Sequence, residues 1–336
     1  MSTEYSQRPF IELAKAGLIF GEGKAPKHIE TVVSNVFVFE KTVYKLYKND
    51  NKFFNEGFRD ISGKEERFSF TRRDFEWNNT LSPAIYTRLM GIVVSDGQVE
   101  ECSPESENAD DLVIVMNRID TNDILYEKLL RVEIDEDLAY VIGKQFGKKI
   151  KKIHRHIDGD YYSVFHGRIE DCREWSSSVS ESMSLEESGE YCDFMKAFVE
   201  NHRFHFENEL SKEMVTVGDV HGHNAVFTDG ELHFIDTFPP KEEWLQGHKN
   251  IDLYRLGADI LALGGDDLFD AFMKGCADGG QTLNRDHEIL YIMYASTIMV
   301  PYLYMLAKTD PRHIAPAKRY HDFVRTYFKN NCSVSN

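Results

Sequence analysis

Positive charge is what this chain has least of: 39 lysines and arginines stand against 56 aspartates and glutamates, a formal net charge of −17. Nucleic acids and anionic membranes are bound through clustered cations, so neither is expected as a principal partner. Cysteine is sparse as well. The five (Cys102, Cys172, Cys192, Cys276 and Cys332) are scattered, with no Cys-x-x-Cys, and their odd number argues against a disulfide framework. The opening Met-Ser-Thr-Glu-Tyr carries neither the basic nor the apolar region of a secretion signal, and a reducing cytoplasm is the expected compartment. The most apolar run, Ile289 to Tyr304, is interrupted by Pro301 and falls short of the ~20 residues a bilayer needs. A buried helix is expected there. No Gly-x-x-x-x-Gly-Lys-Ser/Thr occurs, which removes P-loop nucleotide hydrolysis, and the first strands carry no Gly-x-Gly-x-x-Gly.

What is present is 336 residues with 42% hydrophobic content, enough for one two-lobed unit or two modest domains. The chemistry concentrates between Thr216 and Phe238. Asp219 precedes Asn224 by five positions, a short apolar stretch runs into Asp229-Gly230, and a second alternating stretch ends at Asp236. An Asp-Gly pair between alternating runs predicts a hairpin, with Asn224 at its entrance and Asp236 at its exit. Two hard oxygen ligands at the same end suit Mg²⁺, which takes a few protein oxygens and completes its shell with nucleotide phosphates. Asp219, one loop away, is placed to accept the proton of an attacking hydroxyl. Each of these residues alone reads as an ordinary turn residue. Their joint spacing is what points to phosphoryl transfer.

The segment resembles the aminoglycoside phosphotransferase branch of the protein-kinase-like superfamily, whose pattern is His-Gly-Asp-x-His-x-x-Asn, a hairpin, then Ile-Asp. Gly218, Asp219, His221, Asn224, Ile235 and Asp236 match it, while Val217 stands where the pattern has its first His. A further match covers Asn250 to Asp259, and the resemblance implies that Asp252 braces the catalytic loop. His28 to Lys48 is similar to the start of a little-characterised bacterial group of phosphotransferase-like proteins. So is Phe68 to Tyr86, through Leu81-Ser-Pro-Ala-Ile-Tyr86.

The resemblance implies an α+β, protein-kinase-like two-lobed fold. It divides the chain into a helical extension (1–26), a small antiparallel-sheet lobe (27–116), a hinge (117–121) and a mostly helical lobe (122–336). It implies ATP or GTP with Mg²⁺ as cofactors and a small hydroxyl-bearing acceptor as partner. It also implies Lys45 as the phosphate-binding lysine, Val33 to Val36 with Ser34 as the loop over the phosphates, and Met116 against the adenine. Strand alternation favours Lys45 over Lys48, because Lys45 shares a face with Val43 and Tyr47, and an inward lysine among apolar groups needs an acidic partner. Asp74 is that partner by register, with Glu66 and Glu76 as alternatives. His223 and the stretch containing Glu242, Glu243, Trp244 and His248 are candidates to touch the acceptor.

Two other readings stand beside this one. Val-Gly-Asp-Val-His-Gly-His is similar to the opening of two-metal phosphoesterases, with Asp219 and His221 as ligands. The second motif of that family fails at Phe269, and no Gly-Asn-His follows. A nucleotide-binding pseudokinase module without turnover is the third reading.

In outline, the patterns predict a short helix on Phe10, Ile11, Leu13, Ala14 and Leu18, and two strands within 28–48 around Glu40-Lys41. A loop at 49–62 and a helix at 63–80 follow, then strands at 89–94 and 112–116 around an acidic loop at 95–111. Helices are expected near 122–131, 135–156, 190–209, 250–262, 266–277, 286–307 and 314–329.

Overall fold

The computed structural model describes residues 6–31, 33–154, 159–179, 182–208, 218–248 and 250–332. The chain divides into two compact units, one formed by 1–120 with 233–241, the other by 121–232 with 242–336.

The first unit contains α1 (Arg8–Lys15), β1 (Lys27–Glu30), β2 (Ser34–Val38), β3 (Thr42–Tyr47), α2 (Lys52–Gly57), α3 (Lys64–Leu81), β4 (Tyr86–Ser95), β5 (Gln98–Cys102) and β6 (Asp111–Asn117). The six strands form one antiparallel sheet in the order β1-β2-β3-β6-β4-β5. Alternation along β3 and β6 sorts the core onto two faces. Tyr44, Leu46, Val113 and Val115 meet Phe10 and Ala14 of α1 on one face. Leu112 meets Phe68 of α3 on the other.

Three expectations are corrected here. The region 28–48 holds three strands, because the backbone turns at Thr31–Ser34, where Thr31 N–H donates to the Ser34 carbonyl at 2.9 Å. The acidic stretch 95–111 is not a loop throughout. Asp96 (φ 51°) and Gly97 (φ 74°) make a tight primed turn, and β5 extends the sheet beyond it. Within 49–62, Asn51 caps α2 by accepting the Phe54 N–H at 2.8 Å.

A buried ion pair ties the pieces of this unit together. Arg67 Nε lies 3.1 Å from both Asp111 oxygens, Gln7 Nε2 donates to Asp111 Oδ2 at 2.6 Å, and Arg67 Nη1 donates to the Ser62 carbonyl at 2.9 Å. Burial raises the Asp111 carboxyl above its ordinary value even so.

The second unit contains α4 (Leu125–Leu130), α5 (Glu136–Ile150), α6 (Tyr161–Ser178), α7 (Leu185–Asn201), α8 (Arg203–Asn208), β7 (Ala225–Thr228), β8 (Glu231–Phe234), α9 (Asn250–Gly264), α10 (Asp266–Asp278), α11 (Glu288–Thr309) and α12 (Ile314–Asn331), the last two residues of β8 belonging to the first unit. The hairpin stands where it was expected, and Asp229 (φ 51°) with Gly230 (φ 78°) makes its turn. Helix α6 was not anticipated, because its polar Ser/Glu end hides the apolar face formed by Tyr161, Phe165, Ile169 and Cys172.

Helices α5 and α10 approach through glycine. A Cβ on Gly143 would lie 2.0 Å from the Phe272 carbonyl oxygen, and one on Gly275 would lie 2.2 Å from that of Tyr140. Helix α11 is long and apolar enough to cross a membrane, but 67% of its apolar window is buried inside the protein. Its Pro301 removes a backbone donor from the helix interior, and Trp175 Nε1 donates to the Ile298 carbonyl there at 3.2 Å.

Arg67→Ala leaves Asp111 charged and buried, so it should destabilise the protein by about 3–5 kcal/mol. Urea unfolding followed on the first unit checks this; a loss under about 1 kcal/mol would show that the ion pair does not hold the unit together.

Candidate functional site

One cluster of titratable groups lies in the first unit. Lys45, on the central part of β3, is 3% exposed. Its Nζ lies 3.4 Å from Asp74 Oδ2 of α3 and bonds Asp236 Oδ1 as well. The ammonium also sits 4.7 Å above the Tyr47 ring. Burial alone favours the neutral amine, but Asp236 and Asp74 outweigh it, and the Lys45 pKa lies above its ordinary value. Asp74 is fully buried, and burial pushes its carboxyl up to about 6 against the pull of Lys45. Of the two alternative partners, Glu66 pairs with Arg59 and Glu76 points to solvent. Lys48 is occupied with Glu30 at 2.8 Å.

Asp236 is held by its backbone as much as by its side chain. Its φ is +54°, a conformation non-glycine residues seldom adopt. The Asp236 N–H donates to Tyr86 Oη at 2.8 Å, and the next residue, Thr237, donates its N–H and hydroxyl to Asn78 Oδ1 at 3.0 and 2.9 Å. Asn78 Nδ2 in turn donates to Asp74 Oδ1 at 2.8 Å. Lys45, Asp74, Asn78 and the 236–237 backbone thus form one network, from which the Asp236 side chain emerges 55% exposed. One ammonium between two carboxylates leaves a surplus negative charge beside an exposed carboxylate oxygen. That donor set fits a divalent cation carried in with a nucleotide's phosphates.

The second cluster lies in the second unit, on the loop before β7. Asp219 bonds Arg255 Nη2 of α9 through Oδ1, while His221 Nε2 stands 3.7 Å from Oδ2. Burial opposes ionisation here. The neighbouring His221 and Arg255 side chains overcome it and hold the carboxyl well below the usual carboxylate range. Asn224 Nδ2 donates to the Asp219 carbonyl at 2.9 Å, which orients the amide with its nitrogen to the loop. Asp259 of α9 braces the same loop: its Oδ2 accepts the Gly222 N–H at 2.6 Å and its Oδ1 accepts the Tyr320 hydroxyl at 2.8 Å. Asp252, the brace implied by resemblance, has its Oδ2 3.0 Å from His154 Nε2. Thr216 and Val217 lie outside the described residues.

Five rings gather beside this loop. His223 stacks on Tyr126 with centroids 3.7 Å apart, Tyr302 stands edge-on to both His223 and His221, and His313 lies 6.1 Å from His223. Burial drives His223 well below the ordinary imidazole range. Among the described residues, neither nitrogen of His223 has a hydrogen-bond partner, nor do His221 Nδ1, His313 Nδ1 and the Tyr126 hydroxyl.

Other expected residues sit elsewhere. Ser34 is a buried strand residue paired with Tyr47, its hydroxyl 2.9 Å from that of Thr31, so Ser34 to Val36 belong to β2 rather than to a loop. Met116 is half-buried on β6 opposite Val43 and Tyr86. Trp244 Nε1 donates to Asp171 at 3.0 Å, His248 is buried, and Glu243 is exposed.

No protein-family model matches the chain, and no curated protein matches it in sequence. Solved structures do match in fold. Spectinomycin phosphotransferase, in an AMP-bound complex, is similar with a TM-score of 0.52 at 12% identity, over 96% of this chain and 98% of its own. Choline kinase from Cryptosporidium parvum Iowa II is similar with a TM-score of 0.52 at 10% identity, over 97% and 96%. The fold is protein-kinase-like. Within that fold, the sequence reading missed Arg255 and Asp259. The signal was there: Asp252, Arg255 and Asp259 fall at helical spacing on one face of an otherwise apolar α9. Asn78, one helical turn after Asp74, was legible in the same way.

Two titrations follow from these geometries. A carboxyl raised by folding stabilises the protein most at low pH, and that contribution is lost as pH rises from about 4 to about 6 for Asp74. Melting temperatures of Asp74→Asn should lack this decline, and an identical pH dependence in both proteins would contradict the assignment. Asp219 has the opposite sign, its ion pair contributing above the ordinary carboxylate pKa of about 3.9 and fading as the pH falls. Arg255→Met should move the Asp219 carboxyl back up towards that value in a carbon-13 NMR titration. An unmoved resonance would show that Arg255 does not hold the charge.

Proposed function

We propose that this chain transfers the γ-phosphoryl group of ATP or GTP to a hydroxyl of a small molecule, with Asp219 as the base and with Asn224 and Asp236 as ligands of Mg²⁺. The observation that carries the reading is the Lys45–Asp74–Asp236 network. A lysine kept charged in a buried site, with a second acid emerging into solvent, is suited to meeting phosphate oxygens and a divalent cation together. The fold neighbours support it at a coarser level, since those above are a spectinomycin phosphotransferase and a choline kinase.

In this reading Lys45 neutralises charge on the phosphates. Mg²⁺, when bound, supplies further charge neutralisation and a template for in-line transfer. Asp219 is ionised through its Arg255 and His221 contacts, so it can orient the acceptor hydroxyl and receive its proton without first losing one of its own. The Asn224 side chain, tied to the Asp219 carbonyl, keeps the ligand and the base in fixed register.

Nucleotide consumption measured over a library of sugars, aminoglycosides, amino alcohols and nucleosides tests the proposal. Asp219→Ala should lower turnover by about 10²–10⁴-fold with nucleotide affinity retained, while Asp236→Ala should abolish Mg²⁺-dependent nucleotide binding. Nucleotide binding without turnover on any acceptor would support the pseudokinase module instead. Phosphoester hydrolysis without nucleotide would support the phosphoesterase.

A further inference from the structure

Two of the five cysteines meet, and phosphoryl transfer uses neither. Cys172 on α6 and Cys192 on α7 are both buried. Ion pairs set the register of these two helices: His166 with Glu200, Glu170 with Lys196 and Arg173 with Asp193. Residue numbers rise along one helix as they fall along the other, so the helices are antiparallel and the two cysteines share one level of the seam. Cys192 Sγ lies 3.8 Å from the Ile169 carbonyl oxygen. A helical carbonyl points one turn ahead, here towards Cys172 and Arg173. The two thiols share a hydrogen bond.

A buried cysteine is by default a small apolar side chain. Cys276 is that case: it is 0% exposed, and burial pushes its thiol up. The α6–α7 pair differs in two respects. Its thiols are unequal, because the Cys172 S–H donates to the Cys192 sulfur. That bond raises the Cys172 thiol and lowers the Cys192 thiol, and the Arg173 and Lys196 charges add to the lowering against the effect of burial. The layer over the pair is also polar and thin. The Asp193 side chain is 71% exposed and that of Glu170 50%, so the sulfurs lie about one side chain below solvent, and local opening of the seam uncovers them.

We infer that Cys172 and Cys192 are a reversible redox pair, in which a peroxide converts the two thiols into one disulfide joining α6 to α7. The Cys192 thiolate attacks one peroxide oxygen. An S–O bond forms, the O–O bond breaks, and the departing hydroxide takes a proton and leaves as water. The Cys172 sulfur then attacks the Cys192 sulfenic sulfur. The S–S bond forms as the S–O bond breaks, and the Cys172 proton leaves with that hydroxide as a second water. The two sulfurs together give up two electrons, which the peroxide takes. A single such pair in a chain without a disulfide framework acts as a sensor rather than a staple. None of this depends on the phosphotransferase reading.

The test uses the full folded chain, treated with hydrogen peroxide, then alkylated with N-ethylmaleimide in denaturant and mapped as peptides without reduction. One cross-linked peptide joining Cys172 to Cys192 is expected, reversed by dithiothreitol, with Cys276 still alkylated. Cys172→Ser removes the second thiol, so dimedone, which traps sulfenic acid, should label Cys192 several-fold more than in the parent chain. Cys192→Ser should leave Cys172 unlabelled. The mapping on the unaltered chain stands whether or not either variant folds. Cys172 and Cys192 alkylated as fully as Cys276 would overturn the pair. So would disulfides scattered over Cys102, Cys276 and Cys332, which mark oxidation of unfolded chain. A dimedone label on Cys172 in Cys192→Ser, with none on Cys192 in Cys172→Ser, would overturn the order of attack.

Discussion

A positive charge buried in a sheet is the constraint around which the first unit is arranged. Lys45 sits in the middle of β3 with apolar neighbours on both sides, a position where an unpaired ammonium would be costly. Its two acids come from distant parts of the sequence, Asp74 on α3 and Asp236 after the hairpin. The pairing therefore ties a strand, a helix and a returning segment by electrostatics rather than by apolar area. Asn78 and Tyr86 extend the restraint to the backbone of Asp236 and Thr237, so the exposed carboxylate inherits the rigidity of the core.

The second unit solves a related problem with a helix. Helix α9 is buried almost all round, yet it carries Asp252, Arg255 and Asp259 inward. Asp259 satisfies the Gly222 N–H, and Arg255 keeps Asp219 ionised. One element thereby sets both the shape of the loop and the charge of Asp219. The charges on α9 meet polar partners inside the unit rather than solvent, Asp252 lying 3.0 Å from His154 Nε2, which explains why so apolar a helix tolerates them.

Much of this was legible from residues alone where a local rule acts. The hairpin at 225–234 follows from Asp229-Gly230 between alternating runs. The pairing of Lys45 follows from the need to neutralise an inward lysine, and helix phase within α3 puts Asp74 rather than Glu76 on the inner face. The same Asp-Gly rule applied at Asp96-Gly97 would have revealed β5, but acidic composition masked an edge strand whose outward positions are charged. The break between β1 and β2 was hidden because no glycine or proline marks it; Thr31 makes the turn through its own hydroxyl, which accepts the Ser34 N–H at 2.9 Å. Arg255 escaped notice because its partner lies 36 residues away, and long-range pairing leaves no periodic trace.

The left-handed backbone at Asp236 has a practical corollary. An aspartate held at φ +54° stores conformational energy that glycine would release and asparagine would bear with less penalty than most residues. Either change would also remove a carboxylate that pairs with the buried Lys45, so the strain persists because the ion pair outweighs it.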